Sequence, residues 1–210
     1  MTKAVLFDFD GTLADGFEMI VEIFREIAPD YVDRSIDPYS LRGHSAKDVV
    51  KILKIKRREI PRLLVQGRGE MAKRIPNLKL FDGLHEQLTL LKKEEDLFMG
   101  IVSSNSTSSI EQFLSRNNLD VFFDTVMGDV SPFQKSRVIR KIMRTYSLDS
   151  SRMLYVGDEA RDIEAAYKVG VRSLAVTWGF NTVSALQNAG ATLVIHQPSD
   201  LASSVRKMLQ

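Results

Sequence analysis

Aspartate, serine and asparagine residues follow three short apolar runs of this sequence, at the point where each run ends. The run at 4–7 continues into Asp8-Phe9-Asp10, the run at 97–102 into Ser103-Ser104-Asn105, and the run at 153–156 into Gly157-Asp158-Glu159. Asp8 and Asp10 are two residues apart, so in an extended chain their side chains project to the same side. Several carboxylates in one crevice repel one another, and they cannot all stay ionised without a cation.

The candidate ligands for such a cation are oxygen atoms. No His or Cys lies beside these aspartates, and an oxygen-only donor set favours a hard ion, most simply Mg²⁺. Mg²⁺ usually binds one or two carboxylates together with phosphate oxygens of a substrate. The pattern therefore indicates phosphoryl chemistry, although the sequence contains neither the G-x-x-x-x-G-K-[ST] nor the G-x-G-x-x-G nucleotide-binding motif.

Six apolar runs of strand length are spread along the chain, at residues 4–7, 97–102, 125–127, 153–156, 173–176 and 192–195. They are nearly continuous in hydrophobicity, as buried parallel strands are, and segments of helical period separate most of them. This alternation predicts an α/β fold, a Rossmann-like parallel sheet with helices on both faces. The carboxyl ends of the strands then form the ligand crevice, which would bring together Asp8, Asp10, Ser103 and Asp158.

Residues 16–79 interrupt the alternation of strands and helices. An amphipathic helix is indicated by the spacing of Ile20, Ile23, Phe24 and Ile27. Further helical segments are predicted at 45–54 and 57–74, with a weak point at the glycines of 67–69. We therefore predict an all-helical insertion at 16–79 after the first strand, and an α/β core formed by residues 1–15 and 80–210.

Four short motifs occur in order along the chain. The first is Phe-Asp-Phe-Asp-Gly-Thr-Leu at 7–13, the second is the apolar run that ends in Ser103, the third is Lys135, and the fourth is Gly-Asp-Glu-Ala-Arg-Asp at 157–162. Together they resemble the motifs of the haloacid dehalogenase-like phosphohydrolase superfamily, and the resemblance covers essentially the whole chain. The insertion lies where the phosphoglycolate phosphatase and β-phosphoglucomutase branch carries its helical cap. Gln134 departs from the pattern, since many relatives have glycine before the lysine.

The resemblance implies roles for the aspartates and their neighbours. Asp8 would be the nucleophile that forms an aspartyl-phosphate, and Asp10 would be the general acid and base, with a raised pKa. Mg²⁺ would bind Asp8, Asp158 and, through its backbone carbonyl, Asp10. Asp162 would orient Lys135 or the water shell of the metal. Glu159 would contact residues of the site without touching the substrate, or would only add charge to the first turn of a helix.

The resemblance also implies how the substrate is bound. The phosphoryl oxygens would contact Ser103, Ser104, Asn105 and Lys135, although Asn105 is equally suited to cap the next helix. Residues 41–48 resemble the cap loop that recognises the substrate in relatives. In that loop, the candidates for contacting the anionic or hydroxylated end of a small phosphate ester are Arg42, His44 and Lys47. The alternative for Lys47 is an exposed helix charge.

The activity implied is that of a Mg²⁺-dependent phosphatase for a small organic phosphate monoester, either phosphoglycolate-like or a sugar phosphate. A phosphomutase or a phosphonate hydrolase on the same core is the main alternative. A phosphonate hydrolase would need a cap lysine of lowered pKa, for which the candidates are Lys47, Lys51 and Lys54. A receiver-like signalling domain or a nucleic-acid-binding module is a further alternative, but neither requires the paired aspartates and the insertion.

Length and composition set the outer limits of these interpretations. The 210 residues suffice for one large domain or for a core with a modest insertion. The absence of cysteine excludes a disulfide scaffold, a Cys-ligated metal and thiol catalysis. The first apolar run is too short for a signal peptide, and no apolar stretch has the length of a membrane span. We therefore expect a cytoplasmic protein with no membrane partner.

Basic residues are concentrated in residues 51–74, which hold nine of them against two acidic residues, whereas the whole chain has a net charge of +2. A solvated helical face explains such a stretch, and a surface that attracts anionic substrates or nucleic acid is the alternative. The stretch lacks the interleaved aromatic residues that single-strand binding favours. We expect a small phosphorylated metabolite as partner and no nucleic acid. Nothing in the sequence indicates an oligomeric state.

Overall fold

Six parallel strands form the centre of the structure, a computed structural model that describes residues 2–32, 37–44, 46–131 and 133–210, without the side chains of residues 38, 39, 46 and 47. The strands are β1 (Lys3–Phe7), β2 (Leu97–Val102), β3 (Thr125–Met127), β4 (Met153–Gly157), β5 (Arg172–Val176) and β6 (Leu193–Ile195). Their order in the sheet is β3-β2-β1-β4-β5-β6, with every neighbouring pair parallel. The predicted Rossmann-like α/β fold is confirmed, and each strand agrees with its apolar run to within one residue at either end.

The described part of the chain contains nine α-helices. They are α1 (Phe17–Ile27), α2 (Ala46–Ile52), α3 (Ile60–Arg74), α4 (Leu84–Lys92), α5 (Thr107–Arg116), α6 (Lys135–Thr145), α7 (Ala160–Tyr167), α8 (Val183–Asn188) and α9 (Leu201–Leu209). The first three lie within residues 16–79, and the other six belong to the core. None of these helices is both long enough and apolar enough to cross a membrane.

Helices cover both faces of the sheet because the side chains of each strand alternate between the faces. On β1, Val5 and Phe7 belong to a large apolar cluster to which α4, α5 and α9 contribute. Ala4 and Leu6, on the opposite face, belong to a second cluster with residues of α6 and α7. Since all four side chains are fully buried, the strand has a continuous apolar sequence rather than an alternating one.

A separate apolar cluster lies within the described residues of the segment 16–79. Its buried members are Ala28, Val32, Leu53, Ile55 and Leu63. The described residues of this segment contain helices and no strand, and the division into a core and an insertion at 16–79 stays a prediction. α3 runs without interruption for 15 residues through Gly67 and Gly69, so the expected weak point does not break the helix. Packing of α3 against α1 outweighs the modest helix propensity of glycine.

Two chain segments connect the insertion to the core, and they lie side by side. The backbone amide of Asp15 donates a hydrogen bond to the carbonyl of Lys79 at 2.9 Å, and the amide of Phe81 donates to the carbonyl of Leu13 at 3.1 Å. The chain therefore leaves and re-enters the core at one place, just beyond the end of β1.

The basic stretch at 51–74 is largely solvent-exposed. Within it, Arg62 pairs with Glu59 at 3.1 Å and Lys73 pairs with Glu70 at 2.7 Å, both three residues apart on the helical surface. Exposed pairs of this kind contribute only about 0–1 kcal/mol each. The arrangement supports the interpretation as a solvated helical face.

The packing of α4 yields a stability prediction. Leu88 is fully buried in the larger apolar cluster, so Leu88→Ala should lower the free energy of unfolding by about 2–5 kcal/mol through lost burial and the cavity left behind. Glu86→Ala, on the exposed side of the same helix, should change it by less than about 1 kcal/mol. Urea unfolding followed by circular dichroism measures both, and equal effects would contradict the described orientation of α4.

Candidate active site

The carboxyl ends of β1, β2 and β4 lie side by side in the middle of the sheet, because β1 pairs with both other strands. Asp8 follows β1, Ser103 follows β2 and Asp158 follows β4, and all three side chains are buried. Open α/β sheets bind their ligands at such a place, where the chain connections diverge to the two sides. The structure thus brings these three residues to one crevice.

A buried lysine lies between two carboxylates of this crevice. Nζ of Lys135 is 2.9 Å from Oδ1 of Asp8, and it also forms an ion pair with Asp162. The side chain is only 1% exposed, and Nζ lies 5.8 Å from the ring centre of Tyr155. Burial lowers the pKa of Lys135, but the charges of Asp162 and Asp8 outweigh burial and hold this pKa well above its usual value. The ammonium group therefore remains charged.

Asp10 has a different set of neighbours from Asp8. Its Oδ2 accepts a hydrogen bond from Nδ2 of Asn105 at 2.6 Å, and its Oδ1 is buried without a partner among the described residues. Burial, reinforced by the charge of Asp8, raises the pKa of Asp10 to about 7. A carboxyl group with this pKa can donate and accept a proton near neutral pH, as a general acid and base must.

A tight turn after β1 carries Asp10 and brings the chain against Asp158. The backbone amides of Leu13 and Ala14 both donate to the carbonyl of Phe9. Gly11 has a φ of +72°, and a Cβ atom at this position would lie 2.3 Å from Oδ2 of Asp158. Glycine is therefore required both by the left-handed backbone and by the close approach of the carboxylate.

The Asp158 carboxylate is held at both oxygen atoms. Oγ1 of Thr12 donates to Oδ1 at 3.0 Å, and the backbone amide of Phe180 donates to Oδ2 at 2.7 Å. Burial, followed by the charges of Glu159 and Asp8, nevertheless raises the pKa of Asp158 well above its usual value. The side chain is thus fixed in position at a place where its negative charge lacks full compensation.

Three of the buried carboxylates could share a metal ion. One oxygen atom from each of Asp8, Asp158 and Asp162 lies within 4.8 Å of the others. Burial and the charge of Asp8 raise the pKa of Asp162 to about 7, a further sign of excess negative charge that a cation would relieve. An all-oxygen donor set fits a hard cation. The Asp10 side chain lies outside this cluster, so contact of its backbone carbonyl with a metal stays a prediction.

The loop after β2 holds the candidate phosphate-binding residues. Ser103 is buried and its Oγ accepts a hydrogen bond from the amide of Asn105 at 3.2 Å, whereas Ser104 is exposed. The N-terminal cap of α5 is the side chain of Ser106. Asn105 contacts Asp10 and does not cap the helix, and its contact with a phosphoryl oxygen stays a prediction.

Arg42 joins the insertion to the core. Its Nη2 donates to the carbonyl of Trp178 at 2.7 Å, and its guanidinium carbon lies 5.1 Å from the ring centre of Phe17. Next to it, the amide of Gly43 donates to the carbonyl of Phe180 at 2.8 Å. Two consecutive residues of the insertion thus bind the loop that holds Asp158.

The second candidate for substrate recognition, His44, is exposed and lines the same cavity as Arg42. The side chain of Lys47 lies outside the described residues. A role of Arg42, His44 and Lys47 in recognising the substrate stays a prediction.

Comparison with known proteins assigns this site to a family. The family model of haloacid dehalogenase-like hydrolases matches residues 5–176. The chain belongs to this family. A phosphoglycolate phosphatase from Synechococcus elongatus is 35% identical to it over 211 residues, which cover 99% of each chain. Pyrophosphatase PpaX from Listeria innocua is 27% identical over 96% of this chain and 95% of its own.

Solved structures share the haloacid dehalogenase-like fold of this chain. A predicted phosphatase from Clostridium acetobutylicum has a TM-score of 0.82 at 25% identity, with 99% of each chain covered. A haloacid dehalogenase-like family protein from Streptococcus pneumoniae has a TM-score of 0.81 at 24% identity, with 97% of this chain and 98% of that chain covered, and supports the fold alone. The resemblance, the fold class and the enzyme class predicted from the motifs are confirmed.

Some contacts of this haloacid dehalogenase-like hydrolase were not predicted. The hydroxyl of Thr12 and the amide of Phe180 hold Asp158, and Arg161 pairs with Glu159 beside the crevice. Thr12 is part of the first motif, so its hydroxyl could have been singled out from the sequence. The contact of Phe180 uses its backbone amide, and no pattern of side chains marks it.

The raised pKa of Asp10 predicts a pH-dependent stability of the metal-free hydrolase. Between about pH 4 and pH 7 the folded protein keeps a proton on Asp10 that the unfolded chain releases, so this group lowers the free energy of unfolding as the pH rises. Asp10→Asn removes the titration and should raise the free energy of unfolding by roughly 2–4 kcal/mol at pH 8. This increase in the free energy of unfolding should disappear towards pH 4.

Urea unfolding in EDTA at a series of pH values measures this gain. Asp15→Asn, which changes an exposed carboxylate nearby, is the control and should leave the pH dependence as it is. A gain from Asp10→Asn that is the same at every pH would contradict the raised pKa.

The contact of Arg42 with the core predicts a local change in hydrogen exchange. Arg42→Ala removes a charged hydrogen bond worth about 1.5–3 kcal/mol, so the amides of residues 41–44 and 178–181 should exchange about tenfold faster or more. Arg57→Ala, at an exposed position of the same insertion, should leave them unchanged. Mass-spectrometric exchange measures both, and equal protection in the two variants would mean that Arg42 does not hold the insertion.

Proposed function

We propose that this protein is a Mg²⁺-dependent phosphatase that hydrolyses a small organic phosphate monoester through an aspartyl-phosphate on Asp8. The strongest support is the different environment of the two carboxyl groups that follow β1. Asp8 pairs with a buried ammonium group, whereas the pKa of Asp10 is raised to about 7. A carboxylate nucleophile beside a group that can donate and accept a proton is the pair that this chemistry needs.

The proposed reaction has two steps. In the first, a carboxylate oxygen of Asp8 attacks phosphorus, the bond from phosphorus to the leaving oxygen breaks, and Asp10 protonates that oxygen. In the second, Asp10 takes a proton from a water molecule, the water oxygen attacks phosphorus, and inorganic phosphate departs as the Asp8 carboxylate is restored. Oδ1 of Asp10, which is buried and has no partner among the described residues, is the atom available for both proton transfers.

Positioning and charge stabilisation account for most of phosphoryl-transfer catalysis. We assign the phosphoryl oxygens to the Ser103 hydroxyl, the Ser104 backbone amide, the Asn105 side chain and the Lys135 ammonium group. Mg²⁺, bound by Asp8, Asp158 and the backbone carbonyl of Asp10, would supply the positive charge that stabilises the phosphoryl oxygens. Asp162 positions Lys135 through their ion pair, and Glu159 supports the site from the start of α7.

The helical insertion has a part in this proposal. Residues 1–15 and 80–210 would be the catalytic core, and residues 16–79 would form a cap over the crevice. Support comes from the contacts of Arg42 and Gly43 with the loop beside Asp158. A cap that excludes water from the crevice strengthens the electrostatic interactions inside it.

A substrate panel with two matched variants tests the proposal. Phosphate release is measured with and without Mg²⁺ from phosphoglycolate, sugar phosphates, nucleoside monophosphates and an aryl phosphate. Phosphoglycolate is included because a relative that matches the full chain carries that name. Asp8→Asn should lower the turnover by at least about a thousandfold, since it removes the nucleophile.

Asp120→Asn serves as the control, because it changes an exposed carboxylate of the core in the same way. It should retain the turnover of the unmodified protein. Full turnover of a correctly folded Asp8→Asn variant in the presence of Mg²⁺ would overturn the mechanism.

A further inference from the structure

A cavity of about 390 Å³ lies between the crevice of the core and the helices of residues 16–79. Asp10, Ser104 and Glu159 line its core side. Since Asp10 protonates the leaving oxygen in the proposed reaction, that oxygen departs on the side of the crevice where the cavity lies. The group bonded to the leaving oxygen therefore occupies the cavity.

The wall that the insertion contributes to the cavity is predominantly apolar. It includes Phe17, Ile20, Phe24, Val49, Val50 and Leu53. Water molecules enclosed by such a wall lose hydrogen-bond partners, and an apolar occupant that displaces them gains free energy in proportion to the area covered. At roughly 30 Å³ per water molecule the cavity has the volume of about a dozen waters, well beyond that of a two-carbon leaving group.

Three charged groups on the described lining make contacts within the protein, whereas His44, also on the lining, is exposed. Arg161 pairs with Glu159, and Arg42 donates to the Trp178 carbonyl while it lies over the ring of Phe17. The rest of the described lining is mostly apolar and can cover a hydrocarbon group.

Unpartnered polar atoms are gathered around this cavity. Of the four buried side-chain nitrogen and oxygen atoms without a hydrogen-bond partner in the described part of the chain, three belong to residues that line it: Asp10 Oδ1, Arg42 Nε and Arg161 Nε. Buried polar groups normally have partners, so this concentration indicates an occupant that carries polar atoms. The oxygens of a phosphate ester meet this requirement.

We infer that the substrate is the phosphate monoester of an apolar alcohol, an alkyl or aryl phosphate. Its phosphoryl end would lie at the polar core side, and its hydrocarbon group would cover the apolar wall of the insertion. This inference rests on the proposed phosphatase function and specifies the substrate of that same site.

A homologous series of ligands tests the inference. Ethyl, butyl and hexyl phosphate share nearly the same leaving-group basicity, so a rise in kcat/KM along the series reports contact with the hydrocarbon chain. We expect a rise of about three- to fourfold per methylene group. The affinities of ethyl-, butyl- and hexylphosphonate, whose bond from carbon to phosphorus is not hydrolysed, should rise in parallel in calorimetric titrations. 4-Hydroxybutyl phosphate and phosphoglycolate should be poorer substrates than butyl phosphate.

A matched pair of variants locates the contact. Val50 lines the cavity and is partly buried, whereas Val65 on α3 is 72% exposed and lies outside the lining. Val50→Thr keeps the shape of the side chain but places a hydroxyl group on the wall, so the ratio of kcat/KM for hexyl phosphate to that for ethyl phosphate should fall severalfold. Val65→Thr should leave the ratio unchanged.

The outcomes separate this inference from the proposed function. Equal rates and equal affinities along the series, with rapid turnover of phosphoglycolate or a sugar phosphate, would overturn the inference and leave the phosphatase standing. Rising phosphonate affinity without hydrolysis of any ester would support the apolar pocket and overturn the phosphatase. Equal effects of Val50→Thr and Val65→Thr would also contradict the assigned wall.

Discussion

The ammonium group of Lys135 lies between the carboxylates of Asp8 and Asp162 at the carboxyl end of the sheet. Charges removed from water are stable only when they are paired and hydrogen-bonded. Asp158 is buried in the same region and Asp10 is partly buried beside it, and Lys135 alone cannot balance all these carboxylates. The pKa values record this imbalance, since burial and neighbouring charges raise those of Asp10, Asp158 and Asp162. The excess of negative charge therefore favours the binding of a cation at this site.

The sequence predicts the sheet well because the relevant signal is local. Each strand is a continuous apolar run, and a run such as Leu97–Val102 begins and ends in the structure where its hydrophobicity does. The sequence also predicts that Asp8, Ser103 and Asp158 lie close together, since each follows an apolar run and the carboxyl ends of parallel strands lie at one edge of the sheet. Helix breaks are predicted less well. Gly67 and Gly69 suggest an interruption, but contacts of α3 with the rest of the insertion keep it continuous.

The remaining features of the site depend on contacts between residues far apart in the chain. Thr12 and Asp158 are 146 positions apart, and Arg42 and Trp178 are 136 positions apart. Several of these contacts use backbone amides and carbonyls, which every residue type provides. Neither periodicity nor composition marks such a contact. The apolar wall of the cavity cannot be predicted from the sequence either. Apolar side chains that face a cavity have the same helical spacing as apolar side chains that face a packed core.

Phe180 contacts both the core and the insertion. Its amide holds Oδ2 of Asp158, and its carbonyl accepts the hydrogen bond from Gly43 of the insertion. Gly179 makes this arrangement possible, because a Cβ atom there would lie 2.2 Å from the Asp158 carboxylate. The polar end of the cavity is thus fixed by the register of the sheet, whereas its apolar wall comes from a helical unit that reaches the same loop by two hydrogen bonds. A shift of the insertion would change the shape of the cavity, and through Phe180 it would also act on a carboxylate that we propose to bind the metal. In the proposed reaction, residues of the insertion would therefore influence both which leaving group fits and how the carboxylates around Asp158 are arranged.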